Sequence, residues 1–232
     1  LATNLAADMG ETLDVIATQL ATLSERPEVP RQALEAMQRA TRRGRQLTDD
    51  ALTYARRRVP EKLRVNFTEL LISTVARLQQ SAAPQLKFEA SGPVQWVLGE
   101  SAQLKQAVTA LLRHCIRLAR DGAPVEISLG QQMVSAAMAS SRPPLVEGRY
   151  VRLRFAFQGV ALSAEEQTRL FEPFFVTNQD PESSGLGLAV AQTLIAAHEG
   201  TVFVESSPVV GTTFQVFVPI APEVSVTPSY RL

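Results

Sequence analysis

The sequence predicts an α+β protein, in which a two-helix hairpin precedes a sandwich of sheet on one side and helices on the other. Residues 1–58 carry apolar side chains every three or four positions, which is typical of amphipathic helices. After Val59-Pro60 the pattern changes, and short alternating segments interleave with helical ones. A chain of 232 residues is also long enough for one large domain and a smaller element.

The predicted hairpin occupies residues 1–60, with a short turn at 25–30 between its two amphipathic helices. Apolar positions of the second helix follow the narrow seam of a coiled coil, at Ala33, Met37, Ala40, Gly44, Leu47, Ala51 and Tyr54. Such a seam buries little surface alone, whereas two copies of the hairpin would form a four-helix bundle. We therefore expect a homodimer; the alternative is a hairpin packed on the second domain of its own chain.

Seven arginines cluster on and after the second helix, at positions 39, 42, 43, 45, 56, 57 and 58. Such runs usually form a solvated helix face, which is the interpretation we favour. The alternative is a docking patch for an acidic partner.

Charge and composition exclude several classes of function. The 23 basic and 23 acidic residues balance, which argues against nucleic-acid binding because that normally requires a positive field. A single cysteine, Cys115, cannot form an internal disulfide, and this fits a reducing compartment. No run of about 18 apolar residues is present. We expect a cytoplasmic location without membrane contact by this segment. Since the sequence does not begin with Met, we also expect it to be a piece of a longer chain, in which a sensor or membrane segment would precede it.

The predicted sandwich spans residues 61–220, and a loose tail follows at 221–232. We predict helices at 66–80, 100–119, 164–171 and 186–199. Strands, expected to be antiparallel, are predicted at 86–88, 94–97, 125–129, 150–157, 201–205 and 213–218. Segment 131–148 is polar and contains prolines, so we expect an unstructured insertion in a surface hairpin, with an ordered contact surface as the alternative.

A glycine-containing stretch stands at the start of the last predicted helix: Ser184, Gly185, Leu186, Gly187 and Leu188. Glycine lets bare backbone approach a ligand, and the N–H groups and dipole of a helix start attract phosphate. The stretch therefore suggests a phosphate-binding loop. The alternative is a tight turn with close packing only.

The motifs around this stretch, taken in order, resemble the ATP-binding domain of sensor histidine kinases. They are Phe171-Glu172-Pro173-Phe174-Phe175, Ser184 to Ala189, His198-Glu199-Gly200 and Gly211-Thr212-Thr213-Phe214. The resemblance implies a catalytic domain of the GHKL type at 61–220 and a dimerisation and phosphoacceptor domain at 1–60. It also implies ATP and Mg²⁺ as cofactors and a response regulator as partner.

The phosphoacceptor that this resemblance implies is missing. Ala7 holds the position of the histidine that receives the phosphoryl group, and a methyl group cannot accept it. The only histidines, His114 and His198, lie in the other predicted domain.

Two further sets of groups implied by the resemblance are replaced. Ala110 and His114 stand where a pair of asparagines positions Mg²⁺, a cation that prefers oxygen ligands. We expect His114 to be a locally hydrogen-bonded, partly buried residue, not a metal ligand. Phe157 replaces the adenine-binding aspartate of the Asp-x-Gly-x-Gly motif, in which Gly159 is present and Ala161 is not a glycine.

We therefore expect a catalytically inactive histidine-kinase-like protein of two-component signalling. It would act by dimerising and by binding a response regulator receiver domain or an active histidine kinase, without a cofactor and without a metal. The alternative is a nucleotide-binding GHKL switch, or an active kinase with a remodelled ATP site. In that case Gly159 and the stretch Ser184 to Leu188 would bind ATP or ADP.

Overall fold

The computed structural model describes residues 9, 13–21, 23, 31–55, 60–80, 85–120, 123–159, 161–177 and 184–222. Ala7 and residues 223–232 of the predicted tail lie outside this set. Within it, helices followed by a mixed sheet confirm the α+β class. No helix in the described ranges is long and apolar enough to span a bilayer.

The N-terminal part contains two helices, α1 (residues 13–21) and α2 (Arg31–Ala55). They are in contact, because Arg45 Nε lies 2.9 Å from Asp14 Oδ1 and the missing side chain of Gly44 leaves room for Leu13. Helix α2 also packs on the sandwich, where Gln106 Nε2 donates to Thr53 Oγ1 at 3.0 Å. The structure thus contains the intrachain packing that was the alternative to a homodimer.

The remaining elements, in chain order, are β1 (Leu63–Asn66), α3 (Phe67–Gln79), β2 (Leu86–Ala90), β3 (Trp96–Gly99), α4 (Ser101–Leu118), β4 (Val125–Val134), α5 (Ala136–Ser141), β5 (Gly148–Phe157), α6 (Ala164–Arg169), α7 (Gly187–Ala197), β6 (Thr201–Ser207) and β7 (Gly211–Pro219). Five strands form one sheet in the order β2-β4-β5-β7-β6, and β1 pairs with β3 separately. Strand β2 runs parallel to β4, so the expectation of purely antiparallel strands is wrong.

The core lies between the five-stranded sheet and helices α3, α4 and α7. Its largest fully buried side chains include Phe67, Phe155 and Phe214, each worth about 1.5–3 kcal/mol of burial free energy. Asn66 starts α3 by accepting a hydrogen bond from the Glu69 amide at 3.1 Å, and it ends β1, a strand that the sequence analysis missed.

Segment 131–148 is structured, so the expected unstructured insertion is wrong. Strands β4 and β5 remain paired as far as Val134 and Gly148, and Ser135 caps α5. Leu145 and Tyr150 pack with Val134 and Phe217 in a second small core. Apolar side chains within a mostly polar segment thus order it against the sheet.

Candidate functional site

A cavity of about 950 Å³ lies between α2, α3, α4 and the start of α7. Six residues singled out from the sequence line it: Ala110, His114, Ser184, Gly185, Gly187 and Leu188. Leu186 is buried beside them, whereas Phe157, Gly159 and Ala161 do not line this cavity. The structure therefore brings together the glycine stretch and the metal-binding positions, but not the adenine-binding positions.

The two glycines of the stretch occupy different environments. Gly185 has a φ of 68° and its carbonyl accepts a hydrogen bond from the Phe174 amide at 2.9 Å. A Cβ added there would lie 2.6 Å from the Phe174 carbonyl carbon. At Gly187, the nearest atom to an added Cβ is Asp50 Oδ2, at 3.9 Å. Gly185 is therefore required by packing, while Gly187 has room for a side-chain carbon.

Helix α7 begins beside the cavity without a side-chain cap. Ser184 Oγ instead accepts from the amide of Leu186 at 3.2 Å, and because Leu186 immediately precedes the helix this bond does not satisfy the first helical N–H groups. Thr177, which also lines the cavity, is 4% exposed, and its Oγ1 has no hydrogen-bond partner within the described residues. Within the described residues, an uncapped helix start and a buried hydroxyl without a partner thus border the same cavity.

Asp50 of α2 is a cavity residue that the sequence analysis missed. It is 3% exposed, and Gln46 Nε2 donates to its Oδ1 at 2.9 Å. Burial raises the pKa of the Asp50 carboxyl, and repulsion by Asp49 adds to this. The Gln46 hydrogen bond and the positive charges of Arg113 and Arg117 on α4 act in the opposite direction. No local pattern marks Asp50 in the sequence, because only the docking of α2 on the sandwich buries it.

The positions corresponding to the metal-binding pair do not offer a site for Mg²⁺. Ala110 has no ligand atom, and His114 is 4% exposed with its ring edge-on to Phe214, centroids 5.8 Å apart. Nδ1 of His114 lies 3.4 Å from Nη2 of Arg117. Asp50 is the single carboxylate among the described residues that line the cavity, and no metal-binding cluster of three occurs in the described part of the chain. Mg²⁺ prefers several oxygen ligands, so these residues do not fit it.

The positions corresponding to the adenine-binding motif are used for packing. Phe157 ends β5, is 4% exposed and belongs to the main core. Gly159 forms a bridge with Ala119, and a Cβ on it would collide with the carbonyl oxygen of Leu118. Ala161 lines a different pocket, near α6. An apolar ring thus lies at the strand end where the resemblance implies a carboxylate.

His198 has a structural role and does not line this cavity. It is 4% exposed, and its Nε2 accepts from the Glu100 amide at 3.0 Å. Nδ1 lies 2.7 Å from the Leu194 carbonyl oxygen, so Nδ1 carries the proton. Both ring nitrogens are engaged inside the fold.

Comparisons with known proteins agree with this fold. A model of the family "Histidine kinase-, DNA gyrase B-, and HSP90-like ATPase" matches residues 99–222. The heme sensor protein HssS of Staphylococcus saprophyticus is 30% identical over 118 residues, which are 51% of this chain and 22% of that protein. The sensor-like histidine kinase SenX3 of Mycolicibacterium smegmatis is 23% identical over 221 residues, 91% of this chain and 54% of that protein.

Solved structures with the same fold include full-length ShkA in complex with AMPPNP, with a TM-score of 0.72 and 19% identity, covering 95% of this chain and 45% of that chain. The histidine kinase AdeS of Acinetobacter baumannii has a TM-score of 0.59 and 16% identity, with 91% and 97% covered. The chain spans about half or less of the curated relatives described above. Because the family model matches more than half of its residues, the chain belongs to the family of histidine kinase-, DNA gyrase B- and HSP90-like ATPases.

Proposed function

We propose that this chain is a histidine-kinase-like protein of two-component signalling that does not transfer a phosphoryl group and acts by binding other signalling proteins. The burial of both of its histidines carries the proposal. A phosphoacceptor imidazole must present a nitrogen to ATP, whereas His114 packs against Phe214 and both nitrogens of His198 are engaged. Ala7, at the expected phosphoacceptor position, has no nucleophile.

The ATP side of the reaction supports the same proposal. Adenine would need a hydrogen-bond acceptor at the end of β5, and the buried ring of Phe157 provides none. A γ-phosphoryl group would need a metal ion, and Ala110 and His114 do not fit one. Three separate requirements of phosphoryl transfer are thus unmet by this chain.

We further propose that residues 1–60 form a dimerisation hairpin and residues 61–220 a catalytic-like domain that has kept its fold. Several apolar side chains of α1 and α2 are exposed, among them Val15 (57%), Ile16 (43%) and Met37 (52%). A second hairpin would cover them, and this supports a homodimer. The same hairpin is where a response regulator receiver domain or a partner kinase would bind.

Radiolabelled ATP with Mg²⁺ tests the absence of phosphotransfer. We expect no label on the purified chain, and none on an Ala7→His variant, because the metal and adenine positions remain altered. An active sensor histidine kinase is the positive control. Label on the unaltered chain, or ATP hydrolysis above background, would refute the proposal.

Light scattering tests the dimer, with Ile16→Glu expected to give monomers and exposed Ile72→Glu on α3 as the control that does not. Binding of purified receiver domains and of a partner kinase is then measured by interferometry. Loss of binding in Ile16→Glu but not in Ile72→Glu would place the partner on the hairpin. A monomeric chain that binds neither partner would exclude the proposed role.

The cavity favours one second candidate, a nucleotide-binding switch that does not hydrolyse ATP. Space next to the glycine stretch remains open, since Gly187 and Leu188 line it. Calorimetric titration with ATP and ADP, each with and without Mg²⁺, separates the two candidates. Micromolar affinity that depends on the adenine would favour the switch.

A further inference from the structure

The cavity between α2 and the sandwich is lined by an excess of positive charge. Seven of its lining residues are basic: Arg39, Arg42 and Arg43 of α2, Arg77 of α3, and Lys105, Arg113 and Arg117 of α4. Asp50 is the one acidic residue among the described lining residues. The chain as a whole has 23 basic and 23 acidic residues, so this excess is local.

Several of these charges have no acidic partner among the described residues. Within the described part of the chain, Arg42, Arg43 and Lys105 make no salt bridge. Arg113 donates to the neutral Gln46 amide oxygen at 3.2 Å, and Arg77 lies 3.5 Å from the Thr109 hydroxyl. Like charges in one cavity repel, and an anion between them would remove that repulsion.

The start of α7, which borders the same cavity, is suited to an anion as well. The uncapped start of α7 presents N–H groups and the positive end of an 11-residue helix. The buried hydroxyl of Thr177, which has no hydrogen-bond partner within the described residues, lines the same cavity and can donate to a ligand. Backbone and side-chain donors therefore converge on one volume.

We infer that this cavity binds a small oligophosphate through its phosphate groups alone, with arginines in the place of Mg²⁺ and without recognition of a base. Guanidinium groups bind phosphate oxygens through paired hydrogen bonds and need no metal. A cavity of about 950 Å³ is within the size range of small-molecule pockets, so we expect a small ligand and not a macromolecule. This inference goes beyond the proposed function and does not depend on it, because the chain could bind an anion whether or not it transfers a phosphoryl group.

The ligand would also connect two parts of the molecule. Arg42 and Arg43 belong to α2, whereas Lys105 and Arg113 belong to α4, so an anion held by both groups bridges the hairpin and the sandwich. Occupancy would hold α2 in the docked position. Without the anion, repulsion across the cavity favours separation of α2.

Calorimetric titration of the full chain with sodium tripolyphosphate tests the inference, with ATP and AMP as the other ligands, in EDTA and in Mg²⁺. We expect one equivalent of tripolyphosphate to bind in EDTA, ATP to bind within about threefold of it, and AMP at least about tenfold more weakly. Excess Mg²⁺ weakens binding because it competes for the phosphate oxygens. Inorganic and nucleotide sources of the phosphates are thereby compared directly.

Variants with opposite expected effects sharpen the test. Arg43→Ala weakens tripolyphosphate binding about tenfold, and Arg43→Lys recovers part of it. Asp50→Asn tightens binding about fivefold, because it removes the one negative charge beside the ligand. Arg31→Ala is the matched control, since Arg31 is an exposed arginine at the start of α2 that does not line the cavity. Circular dichroism confirms that each variant is folded.

Three results would overturn the inference. These are no tripolyphosphate binding at about millimolar concentration, an equal loss in Arg31→Ala and Arg43→Ala, or ATP binding more than about tenfold tighter than tripolyphosphate. The last result would mean that a base is recognised. None of these results bears on the absence of histidine phosphorylation, which the radiolabel experiment decides separately.

Discussion

Replacing Gly185 by alanine, with Gly187→Ala as the matched control, tests whether the glycine stretch is required by packing. The two positions are two residues apart in the same stretch, and both line the cavity. Only Gly185 has a positive φ and backbone atoms within 3 Å of an added Cβ. If phosphate binding alone required the glycines, neither alanine would affect the stability of the ligand-free chain.

The expected magnitude follows from two terms. An L-residue in the left-handed region costs about 1–2 kcal/mol. Forcing a methyl group against the backbone of Phe174 and Phe175, which lie 2.6–2.8 Å away, adds about 1–3 kcal/mol. Gly185→Ala therefore lowers the free energy of unfolding by about 2–5 kcal/mol. Gly187→Ala changes it by less than about 1 kcal/mol, with a favourable helix propensity.

Urea unfolding at 25 °C, followed by the fluorescence of the single tryptophan, measures both values. Trp96 lies in β3 and so reports on the sandwich that contains the glycine stretch. A loss below about 1 kcal/mol in Gly185→Ala, or equal losses in the two variants, would refute the packing argument. Calorimetry with tripolyphosphate on the same two proteins then separates stability from ligand binding.

Three other substitutions or probes test neighbouring parts of the structure. Phe157→Asp lowers the free energy of unfolding by more than about 3 kcal/mol in urea and does not raise the affinity for ATP above that of the unaltered chain in calorimetry, because the carboxylate replaces a core ring. A stable variant that binds ATP more tightly than the unaltered chain would contradict this. Burial raises the pKa of the Asp50 carboxyl, so the fold favours its protonated form and loses stability as the pH rises above about 4. Thermal melting of Asp50→Asn should show a stability gain at pH 7 that shrinks towards pH 4, and a gain that is constant with pH would be evidence against it. Burial also raises the pKa of the Cys115 thiol, so Ellman's reagent should react only as fast as the chain unfolds; immediate reaction would contradict the burial.

Sequence patterns were sufficient where an element is long and periodic. The predicted helix at 100–119 matches α4 (Ser101–Leu118), and the strand at 150–157 lies within β5 (Gly148–Phe157). Strand β1 was missed because it has four residues with only Val65 buried, too few to show a period. The parallel pairing of β2 with β4 was missed because the paired residues are about 40 positions apart in the sequence, and such a pairing leaves no local pattern.

Only some of the residues that line the cavity could be predicted, because the others show no local sequence signal. The glycine stretch and the position of Ala110 are visible as motifs, since each lies within one helix or its start. Asp50 and Arg77 enter the cavity only when α2 and α3 are placed against α4. The exposed arginines at 39, 42 and 43 fit a solvated helix face, and they also form one wall of the cavity.

Packing explains both the glycines at positions 159 and 185 and the phenylalanine at position 157. Gly159 and Gly185 lie against backbone atoms of Leu118 and Phe174, where no side chain fits whether or not a nucleotide binds. A carboxylate at position 157 would be buried without a partner unless adenine occupied the site, which costs free energy that a phenylalanine ring avoids. Gly159 and Gly185 are therefore explained by packing in this chain, and their presence alone does not indicate nucleotide chemistry. Polar side chains that would be left buried without a partner in the absence of a ligand are the more informative residues, because only the ligand offsets the free energy that they cost.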